Sequence, residues 1–223
     1  MTQDSSDLRA RLRALLVFPG DLPPFEPDTA SPDPICQFVA WLEDALEWRV
    51  PLPHAATLAT SSADGDVTAR ALTLKDANER GWWFATRTDG VKYAQLHENP
   101  RAALTFLWRD LGRQVRVVGE VISAGPDASA ADFLARPPHS RAAALLGTQS
   151  APLSSREEYV RAFEEAKRII EHSPDAPSPH WEAMILQPRT VEFWATTTTS
   201  GQIRLQYTRE SESGEWSRTL LWP

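Results

Sequence analysis

Strand-type runs stand in both the first and the last third of this chain, with most of the helical stretches between them, and that order is what most restricts the folds open to it. From His54 onward, short apolar runs alternate with turn signals. Ala55 to Thr60 and Val67 to Lys75 flank the hairpin turn Asp64-Gly65, and a second hairpin through Asp76 to Gly81 leads into Trp82 to Thr86. Arg101 to Trp108 and Arg113 to Ile122 flank Asp110-Leu111-Gly112, and strand patterning returns at Glu182 to Leu186, Thr190 to Trp194, Gln202 to Tyr207 and Trp216 to Trp222. Strands split in this way are united most simply in one closed sheet, with the helices packed outside it. The expected class is α+β, an antiparallel β-barrel with flanking helices.

The helices announce themselves by their ends. Asp33-Pro34 supplies an N-cap followed by proline at the first helical position, and Ile35, Phe38, Leu42, Ala45 and Leu46 recur at helical spacing, with Cys36 read as packing on the same helix. Gly90 to Asn99 reads as a short helix stopped by Pro100. Asp127 to Leu134 and Ser140 to Leu146 are short helices separated by Pro137-Pro138. A capping box, Ser154 with Glu157 or Ser155 with Glu158, opens a longer one whose apolar face is Tyr159, Val160, Phe163, Ala166 and Ile170. Residues 1–32 carry a short helix at Leu8 to Leu16 and then Pro19, Pro23, Pro24, Pro27 and Pro32. They are expected to form an arm, ordered only where it docks, ahead of a single domain over residues 33–223.

Charge and composition remove several functions. A net charge of -7 argues against a general nucleic-acid binder, so an anionic ligand needs a local basic pocket. One cysteine excludes an intramolecular disulfide and fits a reducing cytoplasm, and no run of 18 apolar residues or signal-peptide pattern is present. The five histidines follow no metal-ligand spacing, and neither a Rossmann glycine fingerprint nor Gly-x-Ser-x-Gly occurs. Most of the nine tryptophans fall at core positions, and the polar run Thr196 to Ser200 offers hydroxyls without a catalytic partner.

Against that background, Arg70, Lys75, Thr86, Lys92, Gln114, Gln149, Ser150 and Trp194 are the candidates for binding chemistry. Arginine, lysine and hydroxyl donors suit a phosphate, and amides beside apolar walls suit the polar edge of an aromatic ring. Arg70 and Lys75 are five residues apart and so on opposite faces of a regular strand. A shared site then requires a bulge, or a strand lying between two ligand regions.

The order and spacing of these residues resemble the pyridoxamine 5'-phosphate oxidase family of FMN flavoproteins, from about Asp33 to Pro223. Arg70-Ala71-Leu72-Thr73-Leu74-Lys75 is similar to the family's Arg-x-x-x-x-Lys strand, and Thr86 to Lys92 to its Thr-Asn-x-x-Ser-Arg-Lys segment, with Val91 where the family has a phosphate-binding arginine and Arg87 as a possible substitute. Gln114 resembles the glutamine at the flavin ring, Gln149-Ser150 a pair that reaches FMN from the partner subunit, and Trp194 the tryptophan of the late strand. The resemblance implies an FMN-binding split barrel built as a homodimer with two flavin sites at its interface. Arg70, Lys92 and Ser150 then serve the phosphate and ribityl chain, and Gln114 and Trp194 the ring. For the substrate it implies Lys75, Arg136, Ser140 and Arg204, with Asp132 where the family has a tyrosine. The family's closing Arg-Leu-His-Asp-Arg is reduced to Arg204-Leu205-Gln206, which runs directly into Tyr207-Thr208-Arg209.

The activity implied is oxidation of pyridoxamine or pyridoxine 5'-phosphate to pyridoxal 5'-phosphate with dioxygen as acceptor; no catalytic residue stands out. Asp132, Gln206 and the shortened closing motif point to an alternative, a flavin oxidase of the same family acting on another small molecule, as in the phenazine-pathway flavin oxidases. Val91 motivates a third reading, a flavin- or deazaflavin-binding relative that is not an oxidase.

Overall fold

A computed structural model describes residues 5–18, 20–147, 149–197, 201–211 and 214–223. Pro19 and residues 198–200 of the polar run lie outside the described residues. The elements are α1 (Ser5–Arg13), α2 (Pro34–Glu47), β1 (Ala55–Ser61), β2 (Val67–Thr73), β3 (Asp76–Asn78), β4 (Gly81–Arg87), α3 (Val91–Glu98), β5 (Arg101–Trp108), β6 (Arg113–Ser123), α4 (Pro126–Ala135), α5 (Pro138–Ala144), α6 (Arg156–His172), β7 (Trp181–Thr197), β8 (Gly201–Thr208) and β9 (Ser217–Leu220). The sheet runs β2-β1-β5-β6-β7-β4-β3, with β8 beside β7 and β9 beside β8, and its pairings are antiparallel.

β7 organises this sheet by changing partners along its length. Residues 181–186 pair with β4 and residues 190–197 with β8, while β6 runs beside much of the same strand. The sequence predicts two strands here, broken before Thr190. The structure has one, with a register shift between Val118 and Gly119 where the partner is Pro188, which has no N–H to give to the ladder. A Cβ on Gly119 would lie 1.8 Å from the Gln187 carbonyl oxygen, so the irregularity requires glycine.

One face of the sheet is the core. Leu58, Leu104, Phe106, Val115, Val117, Phe193 and Tyr207 point into it, and α2 closes it. Asp33 caps α2 by accepting from the N–H groups of Ile35 (2.6 Å) and Cys36 (3.1 Å). Phe38 packs 4.8 Å from Phe106 and 5.4 Å from Trp82, and Trp41 meets Phe193 edge-on at 5.1 Å. Cys36 is exposed, against expectation, as is Leu46. The stripe that faces the sheet runs through Pro34, Gln37, Phe38, Trp41 and Ala45, and Cys36 lies off it. Ser155 accepts from Glu158 N–H at 3.1 Å at the start of α6, which packs with α4 and α5 around Phe133 and Ala166.

The arm docks through Phe25, buried against Trp41 at 4.8 Å, and through Arg109, whose Nε donates to the Val17 carbonyl at 3.1 Å. The other face of β1, β5 and β6 carries Thr57, Ala59, Ala103, Thr105, Leu107 and Val118, with Leu107 60% exposed and Val118 45% exposed. No helix among the described residues is long and apolar enough to cross a membrane.

Candidate cofactor and substrate site

Arg70 stands on β2 opposite Leu58, where its guanidinium donates to Thr60 Oγ1 (2.7 Å), to the Leu58 carbonyl (3.3 Å) and to Thr68 Oγ1. Gln95 of α3 fixes both hydroxyls by accepting from them at 2.5 and 2.7 Å. β4 ends with Thr86 and Arg87, and the turn after it leads into α3. Lys92 in the first turn of α3 donates to Thr86 Oγ1 and to Gln149 Oε1, each at 3.0 Å. Gly90 is the N-cap and no side chain caps the helix, so the leading N–H groups and the positive end of the helix dipole remain available to an anion. A Cβ on Gly90 would lie 2.0 Å from Gln149 Oε1, so only glycine lets that amide approach. Burial, and then the charge of Arg70, hold the Lys92 ammonium below its ordinary pKa, with Asp89 pulling the other way. Cations gathered at such a cost favour a bound anion.

Arg87 does not stand in for the arginine that Val91 replaces. It is buried, it grips both oxygens of Asp89, and it donates to the carbonyls of Leu146 and Gly147. Asp89 is held below the usual carboxylate range, chiefly by Arg87 and against the effect of its burial, and it accepts the Gln149 N–H at 3.3 Å. The pair is a strut that seats Gln149. Sequence reasoning missed Asp89; its signal is an acid two residues after an arginine at a strand end. Gln149 therefore reaches Lys92 within its own chain, whereas the resemblance implied that it arrives from a partner. Ser150 follows it at φ 68°, in the left-handed region unusual for serine.

The five-residue spacing of Arg70 and Lys75 is resolved by a crossing and not by a bulge. After Ala71, Leu72 and Thr73, the Leu74 N–H donates to the His54 carbonyl just before β1, and the Lys75 N–H donates to the Trp83 carbonyl of β4, each at 2.8 Å. Residues 70–75 thus bridge the two halves of the barrel. Lys75 Nζ lies 3.5 Å from Asp132 Oδ1, and Asp132 Oδ2 accepts the Trp181 indole N–H at 2.7 Å. The Arg136 guanidinium lies 4.0 Å from the centre of the Trp181 ring, with Nη1 buried and without a hydrogen-bond partner. Burial lowers the Arg136 pKa while Asp132 acts to raise it. Ser140 Oγ sits 3.2 Å from His139 Nε2 near the exposed start of α5.

The remaining expected residues stand elsewhere. Gln114, Trp194 and Arg204 are register partners across β6, β7 and β8 and so share one face of the sheet, and Arg116, Glu192 and Gln206 form the next row on that face. Arg204 donates to both oxygens of Glu192 at 2.9 and 3.1 Å and to the Trp222 carbonyl at 2.9 Å, and Arg116 also donates to Glu192. Burial pushes the Glu192 pKa up, but the bonds from Arg204 and Arg116 outweigh it and bring it below the ordinary value. Trp194 Nε1 donates to Gln202 Oε1 at 3.1 Å. On β7, Glu182 is the partner of Thr86, and Trp194 lies 194 − 182 = 12 residues further on. At about 3.3 Å per residue this is roughly 40 Å of strand, longer than a flavin mononucleotide. The expected cofactor set is thus divided, Arg70, Thr86, Lys92 and Gln149 from Gln114 and Trp194. The expected substrate set is divided the same way, Lys75, Asp132, Arg136 and Ser140 from Arg204 and Gln206.

The sequence and the fold are similar to those of known proteins. Residues 42–169 match the pyridoxamine 5'-phosphate oxidase family, and residues 181–223 match the pyridoxine 5'-phosphate oxidase C-terminal dimerisation region. A pyridoxine/pyridoxamine 5'-phosphate oxidase of Rubrobacter xylanophilus is 40% identical over 196 residues, 88% of this chain and 89% of that protein. The protein of the same name from Herminiimonas arsenicoxydans is 37% identical over 89% of this chain and 92% of its own length. Among solved structures, PhzG from Burkholderia lata 383, in complex with tetrahydrophenazine-1-carboxylic acid, superposes with a TM-score of 0.84 at 27% identity, over 91% of this chain and 98% of that one. A pyridoxamine 5'-phosphate oxidase-related, FMN binding protein from Nostoc punctiforme shares the fold, with a TM-score of 0.72 at 21% identity over 86% of this chain and 98% of its own. With its split antiparallel barrel, its basic rim at the start of α3 and both halves of its sequence matched, the chain belongs to the pyridoxamine 5'-phosphate oxidase family.

Proposed function

We propose that the protein is an FMN-dependent oxidase whose active site is completed by a second copy of the chain. The observation that carries this reading is the rim where Lys92, Arg70, Thr86 and Gln149 converge on the uncapped, glycine-led start of α3. The fit to FMN is specific in kind. Two cations and free backbone N–H groups suit a phosphate, and the space that a Cβ on Gly90 would fill is kept for the Gln149 amide. The ring half of the site, Gln114 and Trp194, would come from the second copy, whose matched dimerisation region includes Trp194 and Arg204. The uncovered face with Leu107 and Val118 supplies apolar area for that contact.

Bound there, FMN would supply the two-electron acceptor for oxidising a carbon next to nitrogen or oxygen, with dioxygen taking the electrons in turn. The chain's own residues bind and orient. Lys75 and Arg136 would hold the substrate's anionic end, and Trp181 would fix the plane of the Arg136 guanidinium. None of these residues needs to act as a strong acid or base, because hydride transfer calls chiefly for placing the reacting carbon within about 3–3.5 Å of its acceptor and stabilising the charge that develops.

Pyridoxine or pyridoxamine 5'-phosphate is the substrate class named for the relatives at 40% and 37% identity. A second reading, an oxidase of another ring compound, is favoured by the Lys75–Asp132 pair and by the likeness to PhzG. The test is anaerobic: load the protein with FMN, remove the free cofactor, add pyridoxine 5'-phosphate and follow the visible absorption. Bleaching that reverses in air is the result that assigns this substrate and the oxidase activity together. Flavin that is retained but stays coloured rejects this substrate, and flavin that is not retained rejects the cofactor.

A further inference from the structure

We propose that the substrate shelf selects a singly charged anion, a carboxylate on a planar ring, over a phosphate dianion, and that Asp132 is the residue that sets this choice. The inference rests on the flavin-oxidase reading for where substrate lies. Of the cations expected to hold the substrate, two are already neutralised within the chain. Lys75 is paired with Asp132 at 3.5 Å, and Arg204 spends two donors on Glu192 and a third on the Trp222 carbonyl. Asp132 cannot turn aside to release Lys75 without cost, because its other oxygen accepts the Trp181 N–H at 2.7 Å. Its charge also acts on Arg136. Lys75, Arg136 and Asp132 together leave a single positive charge where two cations and a phenol would leave two.

Arg136 is the group still open. Its guanidinium lies over the Trp181 ring at 4.0 Å, and Nη1 is buried without an acceptor. A buried unpaired N–H is destabilising and is relieved by an oxygen that comes to it. A guanidinium is itself planar and presents its donors in one plane, which matches the two oxygens of a carboxylate edge-on. A phosphate dianion would bring a second negative charge against Asp132, which the single net positive charge of the cluster does not offset.

The probes are benzoate and phenyl phosphate, which share a ring and differ in the anion. Each is titrated calorimetrically into the FMN-loaded protein at about pH 8, well above the second pKa of about 6 of a phosphate monoester. The wild-type protein is expected to bind benzoate the more tightly. Asp132→Asn keeps an acceptor for Trp181 and removes the charge, and it should move the affinity ratio toward phenyl phosphate by about tenfold or more. A wild-type preference for phenyl phosphate, or an unchanged ratio in Asp132→Asn, overturns the proposal. The titrations are repeated without FMN, and flavin retention is read from absorption, so failure of the cofactor reading is seen separately from failure of the anion preference.

Discussion

Replacing Lys92 by methionine should affect the cofactor and the cofactor-free protein in opposite directions. Lys92 Nζ now shares its hydrogen bonds between Thr86 and Gln149, and a phosphate at the head of α3 would receive one charge-assisted contact from it. Such a contact is worth about 1.5–3 kcal/mol, or about 10- to 150-fold in Kd. Without the phosphate the ammonium is a burden, since burial and then Arg70 and Arg87 disfavour its charge. Lys92→Met should therefore leave the unfolding midpoint of the cofactor-free protein unchanged or slightly raised while FMN binding weakens. Titration by quenching of flavin fluorescence, run with FMN and with riboflavin, isolates the phosphate: only FMN should suffer. Equal losses for both ligands, or none for FMN, would refute the assignment. The pH dependence has a definite sign. Because the folded pKa is lowered, the unfolded chain holds the extra proton between that value and the ordinary lysine value. Across that window the stability of the cofactor-free protein rises with pH while FMN affinity falls, and Lys92→Met should flatten both trends.

Two further substitutions probe the frame around the site. Gly90→Ala places a Cβ 2.0 Å from Gln149 Oε1, the end of a flexible side chain, so the amide should swing away. FMN affinity would fall by about three- to tenfold, the scale of one ordinary hydrogen bond, with little change in thermal midpoint. Glu192 has a lowered folded pKa, so its contribution to stability is full above the ordinary glutamate value and is lost as pH falls through the lower folded one. Glu192→Gln should remove that acid dependence and lower stability at neutral pH, measured by urea unfolding across the acid range; an unchanged acid limb would show that Arg116 and Arg204 do not hold it.

Much of the architecture is carried by short-range chemistry and was legible for that reason. Asp33 before Pro34, Asp64-Gly65 and Ser155 with Glu158 each mark an element boundary within a few residues, and the structure places α2, the β1–β2 hairpin and α6 at those marks. Pro188 misled because proline ordinarily breaks a strand, and only the opposing Gly119, far off in sequence, makes room for it. Cys36 misled because helical spacing admits more than one stripe, and Trp41 determines which one faces the sheet. At the site, Arg70, Thr86 and Lys92 were singled out by residue type, and only the resemblance to a known family gave them a common role. Gln149 meets Lys92 across 57 residues, and no local pattern encodes such a contact. Arg87 is a cation at a strand end in the sequence; only the fold brings the carbonyls of residues 146 and 147 to its guanidinium.

The division of the site follows from β7 itself. A register ladder is rigid, so Trp194 cannot approach Thr86 without unpairing β6 or β8, which hold it through Gln114 and Arg204. A single chain therefore has an anion rim at one end of β7 and a ring-facing row at the other. Two copies related by a twofold axis can offer each rim the other's row, and symmetry makes the two sites equivalent. Under this reading, phosphate recognition belongs to the protomer and ring recognition to the association, so the two energies are separable in principle but linked in practice: FMN bound across both copies stabilises the dimer by mass action. That linkage gives a physical reason for Glu192 to be buried among Arg116 and Arg204. The ion network braces β6 against β7 and β8, and it holds the row that the partner would meet in place before any cofactor arrives.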